Sequence, residues 1–449
     1  MSSLLVGFDL GTSYFKVGLF APGGTLRGLG RVRVETQAPA PGRVELPVET
    51  FWALLRRGLD EALAQAGASA ADIAAISYSS QATTLLLLDD RDQPLTPLVV
   101  WTDTRGGPVE PELAAFAARE AFRVAIGHGG FMAESAVPKL RWFMKHEPHL
   151  WARATRVMSI SDYLTFALTG ERAGDASTAA FLGIYHLAER RWWPAALEFI
   201  GIEASRLSTP LLPGAACGRT VAAAARLLGV PAGRPFAVGA IDHHAAAIGS
   251  GLGRLAEVSL STGTVLAALS LVAHPTPAAG CYHGPHVDGE RFYRLAFDPN
   301  GAGQLEEYQR RAAPELSLEQ LLELAANVPP GGGAAGDGAS GGRGENHGAA
   351  VRALLEQVAQ RHRALVRLVE GEVAVPRVIA TGGGARSPLW LQVYADVLNA
   401  TVVRPASPER ACLGAAAFAA VAAGHYASIA EATAAMVRPD REFEPIAAR

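Results

Sequence analysis

The sequence predicts an α/β protein with two domains, on three observations. The chain has 449 residues, whereas a single hydrophobic core rarely extends beyond roughly 250 to 300 residues. Strand-like apolar runs are interspersed with segments of helical spacing in both halves. A strand, a glycine-containing turn and a second strand also occur once in each half. We predict domains at residues 1–253 and 254–449.

The composition favours a large buried core and argues against some partners. Hydrophobic residues make up 49% of the chain, and 40 basic against 43 acidic side chains give a formal net charge of −3. A protein that binds nucleic acid needs a basic excess to neutralise phosphates. We therefore expect no nucleic-acid partner.

Cysteine usage and hydropathy predict the cellular compartment. The three cysteines are far apart and form no CxxC pair: Cys217, Cys281 and Cys412. This pattern predicts neither a disulfide framework nor a zinc site and fits a reducing compartment. The first residues enter a strand without a basic region, and no run of ~18 apolar residues follows. We predict a cytoplasmic protein without a membrane partner.

The first elements form a meander followed by a helix and two further strands. Runs rich in branched and aromatic residues predict these strands: Leu4–Leu10, Phe15–Phe20, Thr25–Val34, Ile73–Ser77 and Thr84–Leu88. Apolar residues at helical spacing predict a helix over Val48–Gly67, between the third and fourth strands. Residues 110–201 have a mostly helical pattern, with amphipathic pieces at Pro138–His146 and Ser161–Leu168, and we expect an inserted, substrate-side region there.

The second half repeats the strand–turn–strand pattern. Strand Phe236–Ile241 precedes a predicted helix with Asp242 at its N-cap and the glycines of residues 249–253 at its end. Further strands are predicted at the following runs: Val258–Ser261, Thr264–Ser270, Phe292–Phe297 and Val378–Ala380. The glycine-rich segment Pro329–Gly348 predicts a mobile loop. Helices are predicted after it over Ala350–Glu370 and Leu389–Leu398.

The first glycine turn has the residues of a phosphate and metal site. Asp9 ends the first strand, Gly11, Thr12 and Ser13 form the turn, and Lys16 lies on the second strand. Small residues let backbone and hydroxyl donors approach phosphate oxygens, and a carboxylate can face a metal ion. An ordinary hairpin with a polar turn explains the same motif equally well.

Two more loops of small residues follow strands. Together with the first turn, they favour nucleotide binding over an ordinary hairpin. They are Ser261-Thr262-Gly263-Thr264 and Gly382-Gly383-Gly384, the second of which could admit a nucleoside or its α-phosphate. The chain has no GxxxxGK[ST], which excludes a P-loop fold, and no GxGxxG after its first strand, which disfavours a dinucleotide fold.

Taken in order, the motifs resemble those of the FGGY family of carbohydrate kinases. The resemblance rests on Phe8–Ser13, Trp101–Arg105, Ala240–Asp242, Ser261–Thr264 and Ala380–Ser387 and spans about the whole chain. It implies two ribonuclease-H-like domains, as in actin and the heat-shock ATPases, with a cleft between them. It also implies ATP and Mg²⁺ as cofactors.

The resemblance assigns a role to each motif residue. Gly11, Thr12 and Ser13 would hold the β- and γ-phosphates, Asp9 would bind Mg²⁺ through water, and Lys16 would approach the phosphates or support the turn. The remaining ATP residues would be Thr262, Gly263 and Thr264 at the phosphates, and Gly382, Gly383, Gly384 and Ser387 at the adenosine. Asp242 matches the catalytic base, a role that suits phosphoryl transfer, although an aspartate at a helix start is often only a cap.

The resemblance also implies a sugar pocket, which a second group of residues would line. Gln81, Asp103 and Arg105 would meet hydroxyls, and Trp101 would offer an aromatic wall or belong to the core. Asp242 and His243 would also touch the substrate, although a histidine here is more often a packing residue.

The substrate is predicted less sharply than the reaction. Gln81-Ala82-Thr83-Thr84 stands where xylulose kinases usually have Gln-Met-His-Gly, and the Arg-Glu pair of glycerol kinases is absent. We predict ATP-dependent phosphorylation of a small sugar or polyol, most like a pentulose such as xylulose, with glycerol or another polyol as the alternative. A non-catalytic sugar- or ATP-binding regulator is the alternative of another class, and a homodimer is left open.

Overall fold

The structure is a computed structural model that describes residues 3–263, 265–298, 301, 303–332, 346–370 and 375–446. The strands are β1 Leu4–Leu10, β2 Tyr14–Phe20, β3 Leu26–Arg33, β4 Glu45–Leu46, β5 Ile73–Ser80, β6 Leu85–Leu88, β7 Leu98–Val99, β8 Arg156–Ser159, β9 Ala173–Asp175, β10 Tyr185–His186, β11 Arg191–Trp192, β12 Thr209–Leu211, β13 Ala216–Arg219, β14 Pro235–Ala237, β15 Ala240–Ile241, β16 Val258–Thr262, β17 Leu266–Val272, β18 Cys281–Pro285, β19 Phe292–Asp298, β20 Arg377–Thr381, β21 Thr401–Pro405 and β22 Pro439–Phe443.

The helices are interspersed among these strands. They are α1 Val48–Ala66, α2 Pro111–Ala117, α3 Glu120–Ile126, α4 Ala136–His146, α5 Pro148–Arg153, α6 Ile160–Thr169, α7 Ala176–Ala179, α8 Pro194–Ile200, α9 Ala222–Leu228, α10 Asp242–Ile248, α11 Gly303–Ala312, α12 Leu318–Ala326, α13 His347–Glu370, α14 Pro388–Leu398, α15 Arg410–Ala422 and α16 Ile429–Met436. Among the described residues, no helix has the length and apolar character needed to cross a membrane.

The chain forms two compact units that alternate along the sequence. The first comprises Met1–Gly249, Val272–Arg294 and Glu409–Val437, and the second comprises Ser250–Leu271, Leu295–Pro408 and Arg438–Arg449. The predicted domain limits at residues 253 and 254 stay a prediction.

The main sheet of the first unit has the order β13-β14-β5-β1-β2-β3, and β15 also pairs with β5. Strand β1 is antiparallel to β2 and parallel to β5. Every residue of β1 is buried, as its nearly continuous apolar run requires of a central strand. Helix α15 packs against β1, β5 and α10, and a side chain at Gly7 of β1 would collide with the Cys412 carbonyl of α15 at 2.0 Å.

The sheet of the second unit repeats this connectivity. Strand β16 is antiparallel to β17 and parallel to β20, and β20 is parallel to β21. The order β19-β17-β16-β20-β21 therefore matches β3-β2-β1-β5-β14 of the first unit, strand for strand. In both sheets, the first strand of the hairpin also pairs with a parallel strand: β1 pairs with β5, and β16 pairs with β20.

Most of the predicted elements are confirmed, with shifts of one to a few residues at their ends. The predicted strand Phe236–Ile241 is wrong in one respect, because it divides into β14 and β15 around Gly239. A side chain at Gly239 would lie 1.8 Å from the Tyr78 carbonyl oxygen, so two backbones meet there. Asp242 is the first residue of α10 rather than its N-cap, which is Ile241.

The glycine-rich segment predicted as a loop falls largely outside the described residues, which omit residues 333–345. Helix α13 begins at His347, three residues before the predicted start. Residues 110–201 are mostly helical as predicted, and they also contain the short strands β8 to β11.

Candidate active site

Predicted site residues of the first unit gather at the carboxyl ends of neighbouring strands. Asp9 lies on β1 opposite Ser79 of β5, and Ser79 lies opposite Ala240 of β15. Since β1, β5 and β15 run in one direction, Asp9, Gln81 and Asp242 all stand at the same edge of this sheet. That edge is where open α/β sheets bind their ligands.

Asp9 belongs to a cluster of charged groups. Its Oδ1 accepts a hydrogen bond from Ser79 Oγ at 3.1 Å, and its Oδ2 lies 3.8 Å from Lys16 Nζ. Lys16 Nζ also donates to Glu409 Oε2 at 2.8 Å. Glu409 immediately precedes α15, so the helix that packs on β1 also brings an acidic partner to Lys16.

The electrostatics of this cluster follow from burial and charge. Burial raises the pKa of Asp9 to about 6, against the lowering effect of Lys16, and the negative charge of Asp242 raises it further. Burial alone would lower the pKa of Lys16, but the Asp9 and Glu409 carboxylates outweigh it and raise that pKa. Lys16 therefore keeps its charge and offsets the two carboxylates beside it.

Asp242 is held by the start of α10. Its Oδ1 accepts a hydrogen bond from its neighbour's backbone, His243 N, at 2.7 Å, and both side chains are partly exposed. Behind it, Ser177 Oγ accepts from Ile241 N at 2.9 Å and donates to Asp175 Oδ1 at 2.6 Å. The backbone just before Asp242 is thus fixed by buried polar groups, while its carboxylate can be reached.

Helix α10 is also held by close packing against α15. A side chain at Gly414 of α15 would lie 2.0 Å from the Ala245 carbonyl oxygen, and one at Gly249 would lie 2.0 Å from that of Arg410. The two glycines allow the helices to approach closely, which fixes the position of Asp242 relative to Asp9.

The first glycine turn presents exposed hydroxyls. Thr12 and Ser13 are exposed, and a side chain at Gly11 would lie 2.8 Å from the Tyr14 carbonyl oxygen, so the tight turn requires glycine. An open hollow beside the turn is lined in part by Thr12, Ser13 and Arg33. Arg33 is a basic residue near the turn that the sequence patterns did not single out.

Trp101 connects the predicted sugar residues to this turn. Its indole Nε1 donates to Thr12 Oγ1 at 2.7 Å, and its side chain is 37% exposed. Its backbone nitrogen donates to Thr84 Oγ1 at 2.9 Å, and Thr84 donates to Gln81 Oε1 at 3.1 Å. An exposed ring with a bonded N–H is suited to contact a ligand rather than to fill a core.

Asp103 and Arg105 bind each other. Asp103 is fully buried and accepts from Val44 N at 2.6 Å and from Arg105 Nε and Nη2, each at 2.8 Å. Arg105 also donates to Glu45 Oε1 at 2.6 Å. Burial would raise the pKa of Asp103, but the hydrogen bonds from Arg105 and Val44 lower it below its usual value. The pair fixes the segment that follows Trp101.

In the second unit, the side chain of Thr262 is buried in structural hydrogen bonds. Its Oγ1 donates to the Thr381 carbonyl at 2.6 Å and accepts from Ala385 N at 3.0 Å. Thr262 therefore joins β16 to the glycine loop after β20, and its backbone is what it can offer a ligand. Thr264 lies outside the described residues.

The three loop glycines differ in what surrounds them. Gly382 has φ +90°, and a side chain there would lie 2.8 Å from the Thr262 carbonyl carbon. A side chain at Gly384 would lie 3.0 Å from Thr262 Oγ1, whereas one at Gly383 would meet nothing within 4 Å. Ser387 caps α14 by accepting from Trp390 N at 3.3 Å. Gly383 is the glycine whose missing side chain leaves open space.

The donor set fits a magnesium ion held mainly by nucleotide phosphates. Among the described residues, no group of three or more His, Cys, Asp or Glu side chains could cage a metal ion. Magnesium usually keeps several waters and uses one or two carboxylates together with substrate phosphates. Asp9, beside Asp242 and the hydroxyl-rich turn, provides such a carboxylate.

The two sheets share one connectivity, and a glycine turn follows β1 in one and β16 in the other. With the carboxylates at the strand ends of the first sheet, this arrangement fits a phosphotransferase. The chain belongs to the FGGY family of carbohydrate kinases: the model of the family's N-terminal domain matches residues 4–249, and that of its C-terminal domain matches residues 309–423. The predicted family is confirmed, and with it the enzyme class, carbohydrate kinase. Membership implies ATP as the phosphate donor.

Relatives named as kinases match over nearly the whole chain. It is 27% identical to the L-xylulose/3-keto-L-gulonate kinase of Escherichia coli strain K12 over 474 residues, which cover 99% of this chain and 93% of that relative. It is also 27% identical to the autoinducer-2 kinase of the same strain, over 98% of this chain and 90% of that relative.

A solved structure of xylulose kinase from Rhodospirillum rubrum matches with a TM-score of 0.84 at 27% identity, over 99% of this chain and 94% of that one. This match confirms the predicted fold class, α/β with two ribonuclease-H-like domains.

Proposed function

We propose that this kinase transfers the γ-phosphate of Mg-ATP to a hydroxyl of a pentulose such as xylulose. The observation that supports it best is the edge of the first unit's sheet, where the partly exposed Asp242 stands near the buried Asp9. Phosphoryl transfer needs positioning, charge neutralisation and a carboxylate within reach of the hydroxyl, rather than covalent chemistry by the protein.

Asp242 is proposed as the general base. The sugar oxygen bonds to the γ-phosphorus while the bond to the β–γ bridging oxygen breaks, Asp242 takes the hydroxyl proton, and ADP leaves. His243, next to it, is proposed to contact the sugar. The fixed backbone at Ile241 suits this role because a base must be held within hydrogen-bond distance of the proton that it removes.

Asp9 is proposed to hold Mg²⁺ through water, and the ion would neutralise charge on the phosphates. Gly11, Thr12 and Ser13 would donate to the β- and γ-phosphates. Lys16, bonded to Glu409, is proposed to support the turn and to balance the charge of Asp9.

The second unit is proposed to supply mainly backbone contacts. Thr262, Gly263 and Thr264 would donate to the phosphates from their backbone. The adenosine would lie against the loop of Gly382, Gly383, Gly384 and Ser387. The open space at Gly383 supports this placement.

The sugar is proposed to lie among Gln81, Trp101 and His243, with Asp103 and Arg105 fixing the pocket through their mutual hydrogen bonds. Among the names of the relatives, L-xylulose, 3-keto-L-gulonate and xylulose support a keto sugar, whereas autoinducer-2 names a different substrate. Ala82 and Thr83, smaller than the residues usual in xylulose kinases, favour a pocket that accepts several sugars. We propose a cytoplasmic enzyme.

A substrate panel tests this function. ATP consumption is measured with D- and L-xylulose, 3-keto-L-gulonate, ribulose, hexuloses, glycerol and pentitols, and the product mass is checked. Turnover of a pentulose above all polyols supports the proposal. Preference for glycerol or a pentitol would contradict the pentulose assignment, and sugar binding without turnover of any compound would point to a regulator.

A further inference from the structure

Lys139 is a fully buried lysine on α4, at 0% exposure. Its Nζ donates to three backbone carbonyls, those of Val100 at 2.9 Å, Trp101 at 3.1 Å and Thr83 at 3.3 Å. Only a protonated lysine has three N–H donors, so a single ammonium group satisfies all three carbonyls.

These carbonyls belong to the two segments that bear the proposed sugar residues. Thr83 lies between Gln81 and Thr84, and Trp101 opens the segment that ends at Arg105. Thr83 has φ +56°, a left-handed conformation that is unfavourable for a β-branched residue and persists only when its surroundings enforce it. The ammonium group of Lys139 is one of the contacts that enforce it.

The backbone of α4 is also close to the second segment. A side chain at Gly106 would lie 2.6 Å from the Pro138 carbonyl carbon and 2.8 Å from Lys139 N. Gly106 thus lets the segment after Trp101 approach α4, which brings its carbonyls within reach of Lys139.

We propose that Lys139 is a positioning residue for the sugar pocket, which holds the 81–84 and 100–105 segments in one arrangement through its three carbonyl contacts. The proposal rests on the proposed function, because the pocket is the proposed sugar site. Lys139 contacts the backbone of these segments and not the side chains proposed to bind the sugar. Its effect on sugar binding is therefore indirect.

The protonation of Lys139 is finely balanced. Burial lowers its pKa to about 7, while Asp103 raises it, Arg105 lowers it and Glu134 raises it. Loss of the proton would leave two N–H donors for three carbonyls. The pocket would then lose one contact as the pH rises through the pKa of Lys139.

The kinetic test compares two lysines of one helix. Lys139→Met retains length and removes the donors, whereas Lys145→Met makes the same change at an exposed position of α4. We expect kcat/KM for D-xylulose to fall by about 100-fold in Lys139→Met, the cost of a misplaced binding group, with the larger part in the sugar KM. The KM for ATP should change less than about 3-fold, and Lys145→Met should match the wild type. Equal kcat/KM for the sugar in the two folded variants would overturn the proposal.

A second measurement on the wild type applies even if Lys139→Met does not fold. The chain has lysine only at positions 16, 139 and 145, so ¹³C-lysine labelling gives three resolvable Cε signals. We expect one signal to titrate far below the ordinary lysine value of about 10.4 and to move when D-xylulose is added. Cε signals that all stay unaffected by a sugar that the enzyme turns over would overturn the proposal.

Failure of the proposed function and failure of the positioning role give different results. If the wild type phosphorylates no compound of the panel, the proposed function fails, and the positioning role that rests on it fails with it. If the wild type is active and the lysine signals and variants show no link to the sugar, the positioning role fails and the kinase assignment stands.

Discussion

The two glycine turns of the chain have the same place in their sheets and different chemistry. The first follows β1 and has charged and hydroxyl side chains around it, with Asp9 beside Lys16 and exposed Thr12. The second follows β16, where the Thr262 hydroxyl is used inside the protein to hold the glycine loop after β20. In that loop, Gly383 faces open space.

The difference teaches how each turn can take part in one reaction. The first turn has charged and hydroxyl side chains around it. A substitution that removes a charge there should therefore change the reaction rate even when it keeps the shape of the side chain. At the second turn and the glycine loop that it holds, the protein offers backbone groups to a ligand. An added side chain there should therefore affect ligand binding more than a change in side-chain polarity would. Single substitutions at the two sites should therefore have different effects, of which the loss of the Asp242 charge should be the largest.

Asp242→Asn tests whether the charge at the first sheet is catalytic. Asparagine keeps the size of the side chain and can still bond a hydroxyl, but it cannot take a proton. We expect kcat to fall by ~10² to 10⁴, or about 3 to 5 kcal/mol, the usual worth of a positioned base. Calorimetry should find sugar and ATP binding nearly unchanged.

Asp60→Asn is the matched control for that substitution, because Asp60 is an exposed aspartate of α1 paired with Arg56. It should leave kcat unchanged. If Asp242→Asn retained more than about a tenth of the wild-type kcat, Asp242 would be a helix-start residue without a catalytic role.

Asp9→Asn tests the other carboxylate. Its defect should appear in the dependence of the rate on magnesium, unlike the defect of Asp242→Asn. The substitution removes a charge from the proposed magnesium site, so the Mg²⁺ concentration for half-maximal rate should rise by about 10-fold and excess metal should restore part of the activity. Rates over a magnesium series measure this. A loss of kcat that no magnesium concentration relieves would contradict the assignment of Asp9 to the metal.

Gly383→Ala tests the glycine loop after β20, which Thr262 of the second turn holds in place. Its backbone φ is ordinary and its surroundings are open, so alanine should fold without strain. If the adenosine lies there, the new methyl group should raise the KM for ATP by about 10-fold, as a steric clash would, and leave the sugar affinity unchanged.

The control for Gly383→Ala is Gly23→Ala, at a surface turn where an added side chain also meets nothing within 4 Å. Both variants should melt within a few degrees of the wild type. An ATP KM that is equal in the two would place the adenosine elsewhere.

Much of the fold could be predicted because its central strands are strongly apolar runs. Burial on both faces makes β1 and β16 conspicuous, and the glycine turns after them mark their ends. The break at Gly239 could not be predicted, because it depends on contact with a carbonyl more than a hundred and fifty residues earlier in sequence, that of Tyr78.

The site was predictable where a residue lies at the end of a strand or directly after it, as Asp9 and Asp242 do. It was not predictable where a partner comes from a distant element, as Glu409 does for Lys16. Lys139 is part of an amphipathic helix, where a lysine is normally expected in solvent. The rarity of lysine in the chain was the one signal that could have marked it.

The smallest expected effect concerns the hydrogen bond between Trp101 and Thr12, which connects the proposed sugar residues to the first turn. Trp101→Phe keeps the aromatic face and removes the N–H, and Thr12→Val removes its acceptor. Because this bond is exposed to solvent, we expect each change to weaken sugar binding by about 2- to 5-fold. Affinity is measured by calorimetry without nucleotide, so that any contact of Thr12 with phosphate does not contribute. If the bond orients the ring, the double variant should be no weaker than either single one, whereas effects that multiply would mean that Trp101 and Thr12 act on the sugar independently.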